Sequence, residues 1–169
     1  MKYFIASIIC FLLFYFFYSS EVHYEKFAHK ITIKTAQKLR NEKGLYLIGI
    51  GGQMMGDIQM MYMGFQYFKP VDVESGRDLL VYSIKLYLKE INNNEKVRPY
   101  LHSYPFTVKN IEIRIWIRNP DGSKVSSDEL RYISAIDGIL SYYMDGIDEY
   151  SSKTVHEETY EEALQAVAR

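Results

Sequence analysis

The 169-residue chain is 48% hydrophobic and 24% charged, with a formal net charge of −1. An apolar share of that size excludes a globally disordered chain. The near-neutral balance lacks the basic surplus of a nucleic-acid-binding domain, so no nucleic-acid partner is expected. Its only cysteine is Cys10, which excludes an intramolecular disulfide.

Met1-Lys2 is followed by an uncharged run from Tyr3 to Tyr18, broken only by Ser7. A helix of that length spans roughly 24 Å at ~1.5 Å per residue, short of a bilayer core of ~30 Å. Signal-peptide cleavage needs small residues at −3 and −1. Ser19 and Ser20 suit −1, but Phe17 or Tyr18 then falls at −3. Residues 1–20 are therefore read as an uncleaved signal-anchor in contact with the membrane through residues 3–18, ahead of a removed signal. Ile9 before Cys10 is too large for a lipid-attachment signal. Orientation is in conflict. Lys2 ahead of the run favours export, whereas Lys26, Lys30, Lys34 and Lys38 behind it favour a cytoplasmic domain. Long domains translocate largely regardless of charge, so export is the reading taken.

Residues 21–169 have the size of one domain. Tyr24 to Glu42 reads as a helix ended by Gly44, with Phe27, Ala28, Ile31, Ala36 and Leu39 on its apolar side. Lys26, Lys30, Lys34 and Lys38 form a stripe along it. Next to a bilayer such a stripe contacts anionic head groups; the plainer reading is a solvated face paired with acidic residues elsewhere. Leu45 to Ile50 reads as a buried strand, followed by a glycine-rich connection through Gly49, Gly51, Gly52 and Gly56. Met54 breaks the G-x-G-x-x-G spacing and no G-K-[ST] follows, so the glycines are read as a turn. Ile58 to Phe68 fits helix or strand and is taken as a strand, because that makes a hairpin with the preceding one.

Asp72 is placed as the N-cap of a helix running to about Ile91, with Leu80, Ile84, Tyr87, Leu88 and Ile91 inside and Lys85 and Lys89 outside. Asn92-Asn93-Asn94 ends it. Arg98 to Phe106 is a defined loop, either a ligand-binding rim or a cover over the sheet edge. Ile111 to Arg118 alternates: Ile111, Ile113, Ile115 and Ile117 point to the core, and Glu112, Arg114, Trp116 and Arg118 point away. Trp116 between two arginines invites cation–π stacking, and exposed Trp and Arg are the residue types that anchor interfaces. Asn119-Pro120-Asp121-Gly122 signals a turn. Arg131–Ile136 and Ile139–Met144 flank Asp137-Gly138 as a hairpin. A strand over Ile147–Val155 and a helix over Glu157–Ala168 complete the chain. The early glutamates of that helix are expected to meet the lysine stripe. The 16 tyrosines are read as compositional bias ahead of a tyrosine-based binding surface.

Catalytic chemistry has no motif to stand on. His156-Glu157 opens an H-E-x-x-H pattern that neither Thr159 nor Tyr160 completes, and no G-x-S-x-G occurs. No catalytic residue, metal site or cofactor is expected. Glu74–Leu80, Ile91–Asn94, Arg98–Leu101, Tyr104–Phe106, Asn110–Ile113 and Glu157–Ala163 resemble an uncharacterised family of small exported or membrane-anchored bacterial proteins. That resemblance spans roughly Gly44 to Ala168 and implies no activity.

The expectation is an α+β chain. Its membrane helix is followed by one two-layer domain, a largely antiparallel sheet of four to six strands with three helices. The leading function is non-enzymatic binding of a protein or envelope component through Arg114, Trp116 and Arg118. The domain is placed on the periplasmic side of a bacterial inner membrane; secretion after cleavage and a cytoplasmic-facing domain are the alternatives. Two other functions stay open: a small enzyme near 49–56 and 98–106, and lipid head-group contact through Lys26, Lys30, Lys34 and Lys38.

Overall fold

The structure is a computed structural model that describes residues 24–146 and 151–168; the expected anchor over 1–20 lies outside them. Among the described residues no helix is long and apolar enough to cross a membrane. The first described helix, α1, covers 24–43 and stops at Gly44, whose φ of 71° is open to glycine without strain. Tyr24, Ala28, Ile31, Ala36 and Leu39 recur at helical spacing and are buried.

Strands β1 (Tyr46–Gln53) and β2 (Met60–Tyr67) form the expected hairpin, and 58–68 is indeed extended rather than helical. The glycine-rich connection is corrected. Gly49, Gly51 and Gly52 lie inside β1, and only Gly56, at φ 86°, belongs to the turn. Helix α2 (Val73–Asn92) starts at Asp72, whose carboxylate accepts from Ser75 N–H at 2.8 Å. It carries the chain over to β3 (Ile111–Ile117), which pairs in parallel with β2. Strands β4 (Tyr132–Ile136), β5 (Ile139–Asp145) and β6 (Ser152–Thr159) then add in antiparallel order. The six-stranded sheet therefore runs β1-β2-β3-β4-β5-β6, parallel only at β2–β3. At the β4–β5 turn Asp137 and Gly138 both have positive φ, 49° and 82°, the conformation a tight Asp-Gly hairpin needs.

Helix α3 is Tyr160–Val167, later than expected. Glu157 and Glu158 belong to β6. The start is set by Thr159, which accepts from Glu162 N–H while the Glu162 carboxylate accepts from Thr159 N–H at 2.8 Å. A capping box outweighs the dipole preference that made the earlier glutamates look helical. Of the expected strand 147–155, residues 147–150 lie outside the described set, and the strand continues to Thr159.

The helices gather on one side of the sheet. Ile111, Ile113, Ile115 and Ile117 face them with Met61, Met63, Phe65, Ile133, Leu140 and Tyr142 in one buried core. Thr32 on α1 donates to Ala28 O at 2.9 Å, leaving its oxygen to accept from Tyr87 of α2 at 2.7 Å. Tyr87 is fully buried, and burial pushes its phenol well above the ordinary range. At the far side Arg77 of α2 grips Glu158 of β6 with Nε 2.8 and 3.0 Å from the two carboxylate oxygens, and Tyr142 donates to the same carboxylate at 2.7 Å. On the opposite face Glu112, Arg114, Trp116, Tyr132 and Tyr143 are of intermediate exposure, with Ser134 and Ser141 buried between them.

Candidate functional site

The uncovered face is built by alternation and register. On β3 it carries Glu112, Arg114 and Trp116, half-exposed between the buried isoleucines. Across from Arg114 stand two small residues, Gly64 of β2 and Ser134 of β4. Tyr62, opposite Glu112, bends past Gly49 and Gly51 and over Gly64, where a Cβ would run into its hydroxyl. Arg114 uses the space beside it: its guanidinium pairs with Glu112 and sits 5.7 Å from the Tyr62 ring centroid. Burial works against the Arg114 charge, but Tyr132, Glu112 and Tyr62 around it prevail and hold its pKa above the ordinary value. The Tyr132 phenol is raised, chiefly by burial.

Trp116 pairs across strands with Tyr132, and Tyr132 with Tyr143. Ring centroids are 5.2 Å apart in both pairs, so an aromatic row crosses β3, β4 and β5. Such pairs contribute ~0.5–1.5 kcal/mol each beyond their buried area. The expected stacking of arginines on Trp116 is thus corrected: Arg114 goes to Tyr62, and Trp116 takes an aromatic partner from the next strand. Arg118 follows the end of β3, its N–H bonded to Tyr67 O at 2.9 Å, and lines a small cavity with Trp116. The structure therefore brings Arg114, Trp116 and Arg118 to one face. It adds Tyr62, Tyr132 and Tyr143, which the reading of tyrosine as composition bias passed over. Their positions follow from cross-strand register, which a single strand's alternation does not reveal.

The lysine stripe divides. Lys34 and Lys38 reach Glu90 of α2 at 3.1 and 2.6 Å, while Lys26 and Lys30 are exposed. The expected link to the C-terminal glutamates is not made, because Glu158 is held by Arg77 and Glu162 caps α3.

A cleft of about 490 Å³ opens beside Gly51 and Gly52, lined also by Glu25, Lys26, His29, Thr32, Ile50 and Met54. His102 lies elsewhere: its Nδ1 is 2.7 Å from Asp57 Oδ2, in a pair 60% and 37% exposed. His102 N–H also bonds Ile58 O at 2.9 Å, so the 98–106 loop is laced to the segment before β2. Asn92 holds the loop's other end, giving to Phe106 O at 2.9 Å and accepting from Phe106 N at 2.8 Å. The loop is thus bonded at one end to the segment before β2 and at the other to the end of α2. Among the described residues no group of three or more His, Cys, Asp or Glu is placed to hold a metal ion.

No protein-family description matches the chain, and comparison with curated proteins and with solved structures found no match.

Proposed function

We propose that this chain is a membrane-tethered, non-enzymatic binding domain of the bacterial envelope that engages a protein partner through the uncovered sheet face. The anchor is residues 3–18, and the domain works on the outer side of the inner membrane. One observation carries the reading: an aromatic row, Trp116–Tyr132–Tyr143, with Arg114 beside it, lies half-exposed on the sheet face turned away from the isoleucine core. Trp, Tyr and Arg dominate the residues that supply binding energy at protein interfaces. The small-enzyme reading has less support, because the cleft at Gly51 takes His29 and not His102. Lipid contact through the first helix is left with Lys26 and Lys30, since Lys34 and Lys38 are engaged by Glu90.

The test is a photo-activatable residue at Tyr143 in living cells, with Lys89 on the exposed side of α2 as control. The expected result is a covalent adduct of defined mass from position 143 that disappears when Arg114, Trp116 and Arg118 are all alanine. An adduct formed equally from position 89, or one that survives the triple substitution, removes the reading. Orientation is read separately from Lys89→Cys with an impermeant thiol reagent; labelling only after lysis overturns the outward-facing domain.

A further inference from the structure

Where the aromatic row meets the end of β3, a cavity of about 50 Å³ is lined by Trp116, Ile117, Arg118, Lys124, Val125, Arg131 and Asp145. Its charges do not balance. Arg131 is paired with Asp145, but among the described residues neither Arg118 nor Lys124 has a carboxylate within ion-pair distance. Lys124 is exposed, where an unpaired cation is ordinary. Arg118 is of intermediate exposure, and its guanidinium, open to solvent at the cavity mouth, has no hydrogen-bond acceptor among the described residues. An arginine lining a cavity with no carboxylate beside it among the described residues is a group that gains from an incoming anion through a charge-assisted, fork-shaped contact.

The walls are fixed independently of any ligand. Arg118 N–H bonds Tyr67 O and Ile117 N–H bonds Arg131 O, both at 2.9 Å. Asn119 closes the following loop, donating to Ser123 Oγ at 3.0 Å and to Lys124 O at 2.8 Å. Val125 and Leu130, 6% and 2% exposed, tie the loop into the core. The cations are therefore presented by held backbone.

We propose that Arg118 and Lys124, beside the Arg131–Asp145 pair and the Trp116 ring, form a binding site for the side-chain carboxylate of an acidic polypeptide docked on the uncovered face. The proposal rests on the reading of that face as a protein-binding surface. Size and shape choose the ligand. A cavity of about 50 Å³ is a few times the ~10–15 Å³ that a single water needs. It admits a planar carboxylate, which the guanidinium fork matches edge to edge. A glutamate delivers that group on a methylene stem that packs against Val125 and Trp116. A chain-terminal carboxylate carries its own amide and side chain on the carbon next to the charge, so a glutamate on its longer stem reaches the two cations with less to fit beside them.

Trp116 is the chain's single tryptophan and lines this cavity, so its emission reports on this end of the uncovered face. The experiment titrates the full-length chain in mild detergent, at constant ionic strength, with acetyl-Ala-Glu-Ala-amide, its Gln counterpart, tri-alanine with a free carboxylate, and inorganic phosphate. The Glu peptide is expected to give a saturable change at roughly millimolar concentration, as befits one small contact. The Gln peptide, tri-alanine and phosphate are expected to bind at least about tenfold more weakly, the scale of one charge-assisted hydrogen bond. Arg118→Gln is expected to weaken the Glu peptide about ten- to a hundredfold. Arg118→Lys should fall between, and Lys30→Gln should match the parent. Unchanged starting emission and far-UV dichroism show that the variants are folded. Equal response to the Glu and Gln peptides, tighter binding of phosphate or tri-alanine, or full response in Arg118→Gln overturns the site. Cross-linking from Tyr143 without a carboxylate response fails this site alone; a carboxylate response without cross-linking fails the surface.

Discussion

Tyr62 rests over Gly64, and that dependence can be read at single-residue scale. A Cβ built on Gly64 runs into the Tyr62 hydroxyl and stands 3.1 Å from Trp116 Cζ3. Gly64 itself is extended, so its lack of a side chain serves space rather than a left-handed turn. In a strand with room for it, Gly→Ala stabilises by roughly 0.4–1 kcal/mol by restricting the unfolded chain. Here the methyl group must displace Tyr62 and crowd Trp116, and overpacking costs about 1–3 kcal/mol. Gly64→Ala alone is therefore expected to destabilise, and in a Tyr62→Ala background the same change is expected to be neutral or stabilising. Urea midpoints of the two single variants and the double variant measure the coupling. Additivity would mean that Tyr62 does not rest on Gly64.

At the scale of elements, the joint between α1 and α2 is partly electrostatic. Glu90 of α2, with 14% of its side chain exposed, receives Lys38 and Lys34 of α1. The hydrogen bond from Lys38, then that from Lys34, outweighs burial and holds the Glu90 carboxyl below its ordinary value. A depressed folded-state pKa contributes stability above the unfolded value, and the contribution is lost as pH falls through the folded one. Because both lysines are well exposed, the pair is worth only about 0.5–1 kcal/mol at neutral pH. Glu90→Gln is expected to lose about that much at pH 7 and progressively less as pH falls toward 3. Urea unfolding at pH 3, 4, 5 and 7 checks this. Asp72, Asp121 and Glu162 are also held low by hydrogen bonds to local backbone and side-chain groups, so the parent's acid slope should shrink in the variant rather than vanish. An equal deficit at pH 3 and pH 7 would count against the joint.

The same elements show what the sequence made legible. β3 was plain because every second residue is isoleucine, and a buried strand face has period 2. The Asp137-Gly138 hairpin and the Asp72 cap were plain because turn and cap chemistry is local. The extension of β1 through Gly49 to Gln53 was not, since Gly49 and Gly51 lie against Tyr62 of the neighbouring strand and Gly52 against Met60 O and Met54, contacts that only the pairing reveals. Glu158 was mistaken for a helical residue because Arg77, which holds it in the sheet, is 81 positions away. For the candidate site, alternation on β3 announced Arg114 and Trp116. The tyrosines beside them became visible only with the β3–β4–β5 register.

For the whole molecule, sequential strand order leaves β1 and β6 as the two edges, and they differ in chemistry. β6 carries Lys153, His156, Glu157 and Glu158, charged or ionisable groups of the kind that discourage edge-to-edge pairing. β1, YLIGIGGQ, has no charge and no proline, and exposes Tyr46, Ile48 and Ile50 at 42%, 53% and 38%. Its outer row of backbone groups has no partner strand among the described residues. The centre is the reverse: β2 and β3 are paired on both sides, and Met61, Met63, Phe65, Ile113 and Ile115 are fully buried. Amide hydrogens there exchange only through opening of the whole sheet, whereas those of an edge strand exchange by local fraying. Hydrogen exchange of the full-length chain is therefore expected to be slowest over 61–65 and 113–117 and faster over 46–53 and 152–155. The ordering should be independent of protein concentration. Exchange in β1 as slow as in β3 would overturn the sequential sheet as a complete account of that edge, because only a further strand on the outer side of β1 can protect its outward amides.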